Sequence, residues 1–176
     1  MATGRDLDVS INGNGWLAVQ GEDNNEAYTR AGDLRVSPAG LLTTGAGHPV
    51  IGNNAGPITI PPHDKLEIGA DGTISILPKG QAPNTMAVID RIKMVKPDNT
   101  QVEKGLDGLF RMKDGTESVA DASVSLVSGT LESSNVNVVK SMVSMMELSK
   151  KFEMQVKVME TANEMSGASQ QLLKMQ

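Results

Sequence analysis

Residues 131–156 read LESSNVNVVKSMVSMMELSKKFEMQV, and this stretch divides the chain. All eight prolines and seventeen of the eighteen glycines lie before residue 132, whereas seven of the eleven methionines lie after it. Proline removes a backbone donor and glycine destabilises a helix interior, so a long run without proline and with one glycine favours a helix. The shift predicts two parts: a β-rich domain over 1–131 and a helical segment over 132–176.

Before the boundary, apolar residues alternate with polar ones over short runs. Leu7, Val9 and Ile11 alternate before Asn12–Gly15, and Trp16–Val19 stops at Gly21. Leu34 and Val36 precede Ser37-Pro38-Ala39-Gly40; Ile58-Thr59-Ile60 ends at Pro61-Pro62. Leu66 and Ile68 flank Asp71-Gly72 with Ile74 and Ile76, a hairpin signature. Ile92 and Met94 run toward Pro97, Leu109–Met112 runs into Asp114-Gly115, and Val124 and Leu126 are closed by Gly129. Such spacing predicts a mainly β fold, an antiparallel barrel or sandwich-like domain, followed by one long C-terminal α-helix.

After the boundary the apolar period changes to three and four. Ser133, Ser134 and Asn135 are candidate caps, with Asn135 preferred. A helix over about 136–175 would be ~60 Å long at ~1.5 Å per residue. Four-three steps from Val138 meet Met142, Met145, Ser149, Phe152, Val156 and Met159, a coiled-coil-type seam. A second seam, on another face, comprises Met154, Val158, Thr161, Met165, Ala168, Leu172 and Met175. Val136, Val139, Val143 and Met146 widen the first. Two seams call for neighbours on two sides. The plainer alternative is a core-facing helix that breaks near Ser166-Gly167; a membrane-surface helix fits less well, with five lysines against four glutamates and one phenylalanine in the segment. Glu147–Lys151 and Glu153–Lys157 have the favourable i,i+4 order.

Little in the chain points to chemistry. With no cysteine, thiolate catalysis, disulfides and cysteine metal sites are excluded. A net charge of −5 and 2% aromatic residues argue against nucleic acid. No stretch approaches the ~20 apolar residues of a membrane span, and the N-terminus lacks a signal-peptide pattern. The two histidines, His48 and His63, lie in Gly/Pro-rich loops without ligand spacing. Gly45-Ala46-Gly47 lacks the third glycine of a dinucleotide fingerprint. The Asp-Gly pairs at 71, 107 and 114 lack a calcium ladder, and no nucleophile elbow is present. No catalytic residue, cofactor or metal is expected.

The segment LESSNVNVVKSMVSMMELSKKFEMQVKVMETANEM resembles the C-terminal segment of bacterial flagellar axial proteins, those of rod and hook. Its matching positions are Leu131, Glu132, Ser134, Asn135 and Val136, then Lys150 or Lys151, Phe152 and Glu153. TGRDLDVSINGNGWLAVQ (3–20), AYTRAGDLRVSPAGLLTTGAGHPVIG (27–52), ITIPP and IGADGTISI (68–76) resemble successive segments of the same family. HPVIG and GLFRM (108–112) are most similar to its proximal-rod branch, with the distal-rod or another axial branch as the alternative. The resemblance implies a structural subunit that stacks helically into a hollow periplasmic rod of the flagellar basal body. It implies torque transmission, a channel for later subunits, and passage through the flagellar type III export apparatus without a cleaved signal peptide. Implied partners are copies of itself and other rod proteins, with no membrane insertion. The family's long N-terminal helix, which pairs with the C-terminal one, has no counterpart here, so the chain reads as a fragment. The subunit interface would be Val138, Met142, Met145, Phe152, Val156 and Met159, with Met154, Val158, Met165 and Leu172.

Two readings from other classes compete. A monomeric β-domain binding or adhesion module would lack an upstream helix. A glycan hydrolase would need a paired-carboxylate cleft, for which the sequence offers no candidate pair.

Overall fold

A computed structural model describes residues 1–80, 85–98, 100–134 and 136–173, with side chains through Met165. It divides into two compact units, Met1–Ser133 and Ser134–Gln176.

The first unit is built from β1 (Val9–Asn12), β2 (Trp16–Gln20), β3 (Glu26–Thr29), β4 (Leu34–Val36), β5 (Leu42–Thr44) and β6 (His63–Ile68). β7 (Thr73–Pro78), β8 (Ala87–Arg91), β9 (Met94–Val95), β10 (Val102–Lys104), β11 (Phe110–Met112) and β12 (Ser125–Ser128) complete it. The strands form sheets in the orders β10-β11-β3-β2-β9, β6-β7-β8, β4-β5 and β1-β12. Every paired strand is antiparallel. The mainly β expectation therefore holds. Among the described residues no sheet closes into a barrel, and the sandwich-like alternative is the compatible one.

Strand β2 shows how the layers form. Leu17 and Val19 point into a main core with Val9, Leu34, Ile74 and Ile92. Ala18 points the other way, with Trp16 packed beside it, into a second cluster with Tyr28, Ile51 and Val95. Because successive side chains point to opposite faces, an apolar run of four makes a strand covered on both sides. Trp16 and Phe110 meet at 4.4 Å between ring centroids on the second face.

Six connections share one geometry, a type I turn closed by a left-handed residue. In the turn from Gly69 to Thr73, Gly69 N–H donates to Thr73 O at 2.8 Å and Gly72 N–H to Gly69 O at 2.9 Å. Gly72 has φ +83° there, which a Cβ would strain. The same pair of bonds recurs in the turns starting at Gly21, Ser37, Thr44, Gly52 and Gly105.

The expected strand at Ile58–Ile60 is instead a pair of isolated bridges, Leu41 to Thr59 and Ile51 to Pro57. Both isoleucines are buried, but Pro57, Pro61 and Pro62 cannot donate to a ladder.

In the second unit, α1 spans Val138–Leu173 and passes through Ser166-Gly167 without a break. The break weighed on sequence grounds is absent. The cap is Asn137, whose Oδ1 accepts from Lys140 N–H at 3.0 Å; the preferred Asn135 lies outside the described residues, as does the segment beyond Leu173. Ser134 Oγ accepts from Val136 N–H at 3.2 Å, a local turn ahead of the helix. Among the described residues, neither Glu147–Lys151 nor Glu153–Lys157 closes to an ion pair. Exposed pairs of this kind are worth only ~0.2–0.5 kcal/mol, so their openness costs the helix little.

Candidate assembly surface

The apolar spacing on α1 places its large side chains in solvent within this chain. Met145 is 71% exposed and Phe152 67% exposed. Val138, Met142 and Met159 of the first seam, and Met154, Val158 and Met165 of the second, are likewise exposed. Val156 is half-buried. Leu172 belongs to α1, but its side chain lies outside the described residues. Val136, Val139, Val143, Met146 and Leu148 add to the exposed set. Fully burying one such side chain is worth ~1.5–3 kcal/mol. A continuous strip of them is a surface that gains by being covered.

The β-unit places few candidates for chemistry together. His63 Nδ1 lies 2.9 Å from Pro61 O at an exposed position, and His48 is in a separate turn. Among the described residues no three metal-ligating side chains converge. An open depression of about 760 Å³ is lined by Arg5, Asp6, Arg35, His63, Asp64 and Lys65 over Leu7, Leu34 and Leu66. Asp6 and Asp64 are both exposed, unlike the shielded acid a glycosidase uses. No described helix is long and apolar enough to cross a membrane.

What the sequence did not reveal is a polar framework around the two ends of the β-unit. Asp8 is 1% exposed. Its carboxylate accepts from Thr3 Oγ1 at 2.5 Å and from Arg5 Nη2 at 2.7 Å, and its carbonyl accepts from Gly129 N–H at 2.7 Å. Ala2 bridges Thr130. Arg30 Nε donates to Glu132 Oε2 at 2.6 Å. TGRDLD, Arg30 and the acid of LESS are all visible in the sequence; the contacts of Asp8 with Gly129 and of Arg30 with Glu132, each across more than a hundred residues, are not.

These features define a class before they define a protein. The C-terminal residues 127–172 match the family described as "Flagellar basal body rod FlgEFG protein C-terminal". Residues 10–76 match "Flagellar hook protein FlgE/F/G D1 domain". The chain belongs to this flagellar hook and basal-body rod family, and it is a structural rod subunit. It is 45% identical to the flagellar basal-body rod protein FlgF of Salmonella typhimurium, over 98% of this chain and 70% of the relative. Identity and coverage are the same for FlgF of Escherichia coli. FlgG of Bacillus subtilis is 32% identical, over 93% of this chain and 64% of the relative.

Proposed function

We propose that the chain is a subunit of the proximal rod, and that α1 contributes to the wall of a hollow axial tube. The observation that carries this reading is the exposed apolar surface of a 36-residue helix. At ~1.5 Å per residue that helix is ~54 Å long. Two seams on separate faces would each accept a neighbouring helix by knobs-into-holes packing. One neighbour would be an N-terminal helix of the kind the family resemblance implies; the others would belong to adjacent copies and other rod proteins. Methionine suits such contacts, because its flexible thioether adapts to non-identical partners. Interlocked seams repeated around a tube would oppose both sliding and twist, which is what transmitting torque requires. The proximal over the distal assignment is supported by the 45% identity to FlgF of Salmonella typhimurium and Escherichia coli, against 30–34% for other FlgF relatives and 31–32% for FlgG relatives. On this reading the rod stands in the periplasm, its subunits leave through the flagellar type III export apparatus without a cleaved signal, and the protein performs no catalysis.

The test is substitution within the first seam. Met142→Asp and Phe152→Asp each place a charge where a neighbouring helix would pack, at a cost of several kcal/mol unless the contact opens. Either variant is expected to abolish swimming while the β-unit within the purified variant chain melts as before. Normal swimming by either one contradicts the interface.

A further inference from the structure

We propose that Arg30 is a positioning residue. It forms, with Glu132, a mechanical joint that fastens the exit segment of the β-unit to its main sheet. Residues 129–132 are the last part of the first unit, and Glu132 stands two residues before the second unit begins. Through Leu131 the segment is held by main-chain and hydroxyl contacts, with Gly129 N–H on Asp8 O, Thr130 Oγ1 2.6 Å from Ser10 Oγ, and Leu131 exchanging two hydrogen bonds of 2.9 Å with Met1. At Glu132 the attachment becomes an ion pair to a residue 102 positions away.

The geometry of Arg30 separates this pair from an ordinary surface contact. An exposed ion pair usually contributes little, because two long side chains must be ordered to make it. Here the guanidinium is already fixed. Nη1 donates to Gly15 O and Nη2 to Gly13 O, each at 3.1 Å. The guanidinium carbon also lies 5.9 Å from the centroid of the Trp16 ring. With one N–H of each terminal nitrogen engaged on Gly15 O and Gly13 O, Nε–H faces Glu132. Trp16 begins β2, inside the five-stranded sheet. A pull on Glu132 therefore reaches that sheet through a planar, pre-ordered fork. Lysine offers one charge without the fork and cannot reproduce it.

The mechanical part of this inference rests on the rod-subunit reading; the joint itself does not. The experiment separates them. Arg30→Lys, Arg30→Ala and Glu132→Ala are made in this chain for amide hydrogen exchange and thermal melting. The same substitutions are made in the chromosomal gene for swimming in dilute and in viscous medium. Exchange at Leu131, whose N–H donates to Met1 O, is expected to accelerate at least about tenfold in all three variants, with core strands β2 and β7 unchanged. The midpoint of melting should hold to within a few degrees, and cells should swim in dilute medium but slow or stop in viscous medium. Unchanged exchange at Leu131 overturns the joint, and so does a collapse of melting, which would make the pair a folding contact. Accelerated exchange with normal swimming under load overturns its mechanical role while leaving the rod reading intact. Failure of the rod reading would show separately, as normal swimming in Met142→Asp.

Discussion

Lys93 and Glu26 pair at 2.6 Å with side chains only 11% and 3% exposed. Lys93 precedes β9 and Glu26 opens β3, so the pair lies across the main sheet. Among the described residues, Glu26 Oε1 has no hydrogen-bond partner within bonding distance. Burial is also the first cause of the high Tyr28 phenol pKa, with the Glu26 charge adding to it, so this corner of the sheet is poorly hydrated. Replacing Lys93 by Met would strand a buried carboxylate, and breaking a buried pair costs about 3–5 kcal/mol. Lys93→Met should lower the unfolding free energy by that amount, read as a lower denaturant midpoint with an unchanged slope. The double variant Lys93→Met with Glu26→Gln should recover part of the loss, read from a double-mutant cycle. At this scale the sequence was least informative. Glu26 reads as one more surface acid until the fold buries it, and Arg30 and Glu132 give no local sign of their pairing.

Among the elements, the turns are the most legible. Asp71-Gly72 between alternating isoleucines predicts the β6–β7 hairpin, and the chain forms it with Ile68 opposite Ile74. Strand β3 escaped notice because Glu26–Thr29 has little alternation of its own; its partners come from 16–20 and from Phe110. The turns also explain five aspartates whose carboxyls titrate below the usual range. The Asn25 side chain holds Asp23 down, the Thr73 hydroxyl Asp71, and the Arg111 guanidinium Asp107. The Thr116 hydroxyl does the same for Asp114, and the Ser123 amide for Asp121. Arg111 joins two of these turns, 2.7 Å from Asp107 Oδ2 and 3.4 Å from Asp23 Oδ1. A lowered folded pKa favours the native state above the unfolded value and loses that advantage as pH falls through the folded one. The melting temperature should therefore be flat near neutrality and fall below about pH 4, where unfolded aspartates begin to protonate. A melting temperature that rises on acidification through that range would contradict the assignment. For α1, the three-four period was legible through Met165, whereas its start was placed about two residues early. Asn135 and Asn137 offer the same side chain, and the structure shows Asn137 as the cap. Asn137→Ala should cost about 1 kcal/mol of helix stability, seen as reduced helicity by circular dichroism.

For the whole molecule, helix and sheet make opposite demands on glycine and proline, which is why the composition shifts near residue 132. The chain divides into the units Met1–Ser133 and Ser134–Gln176. The covering of α1 was not readable in full, since one chain shows which side chains need partners and never which partners they meet. The absence of cysteine makes that question measurable. A single thiol introduced as Met145→Cys or Phe152→Cys reports cover directly, because labelling tracks exposure when the thiol is otherwise unperturbed. In the isolated chain both sites should label freely. In purified basal bodies built from the same variants, labelling should slow at least about tenfold if the seam lies between helices. Equal rates in the isolated chain and in the assembled rod would contradict the account.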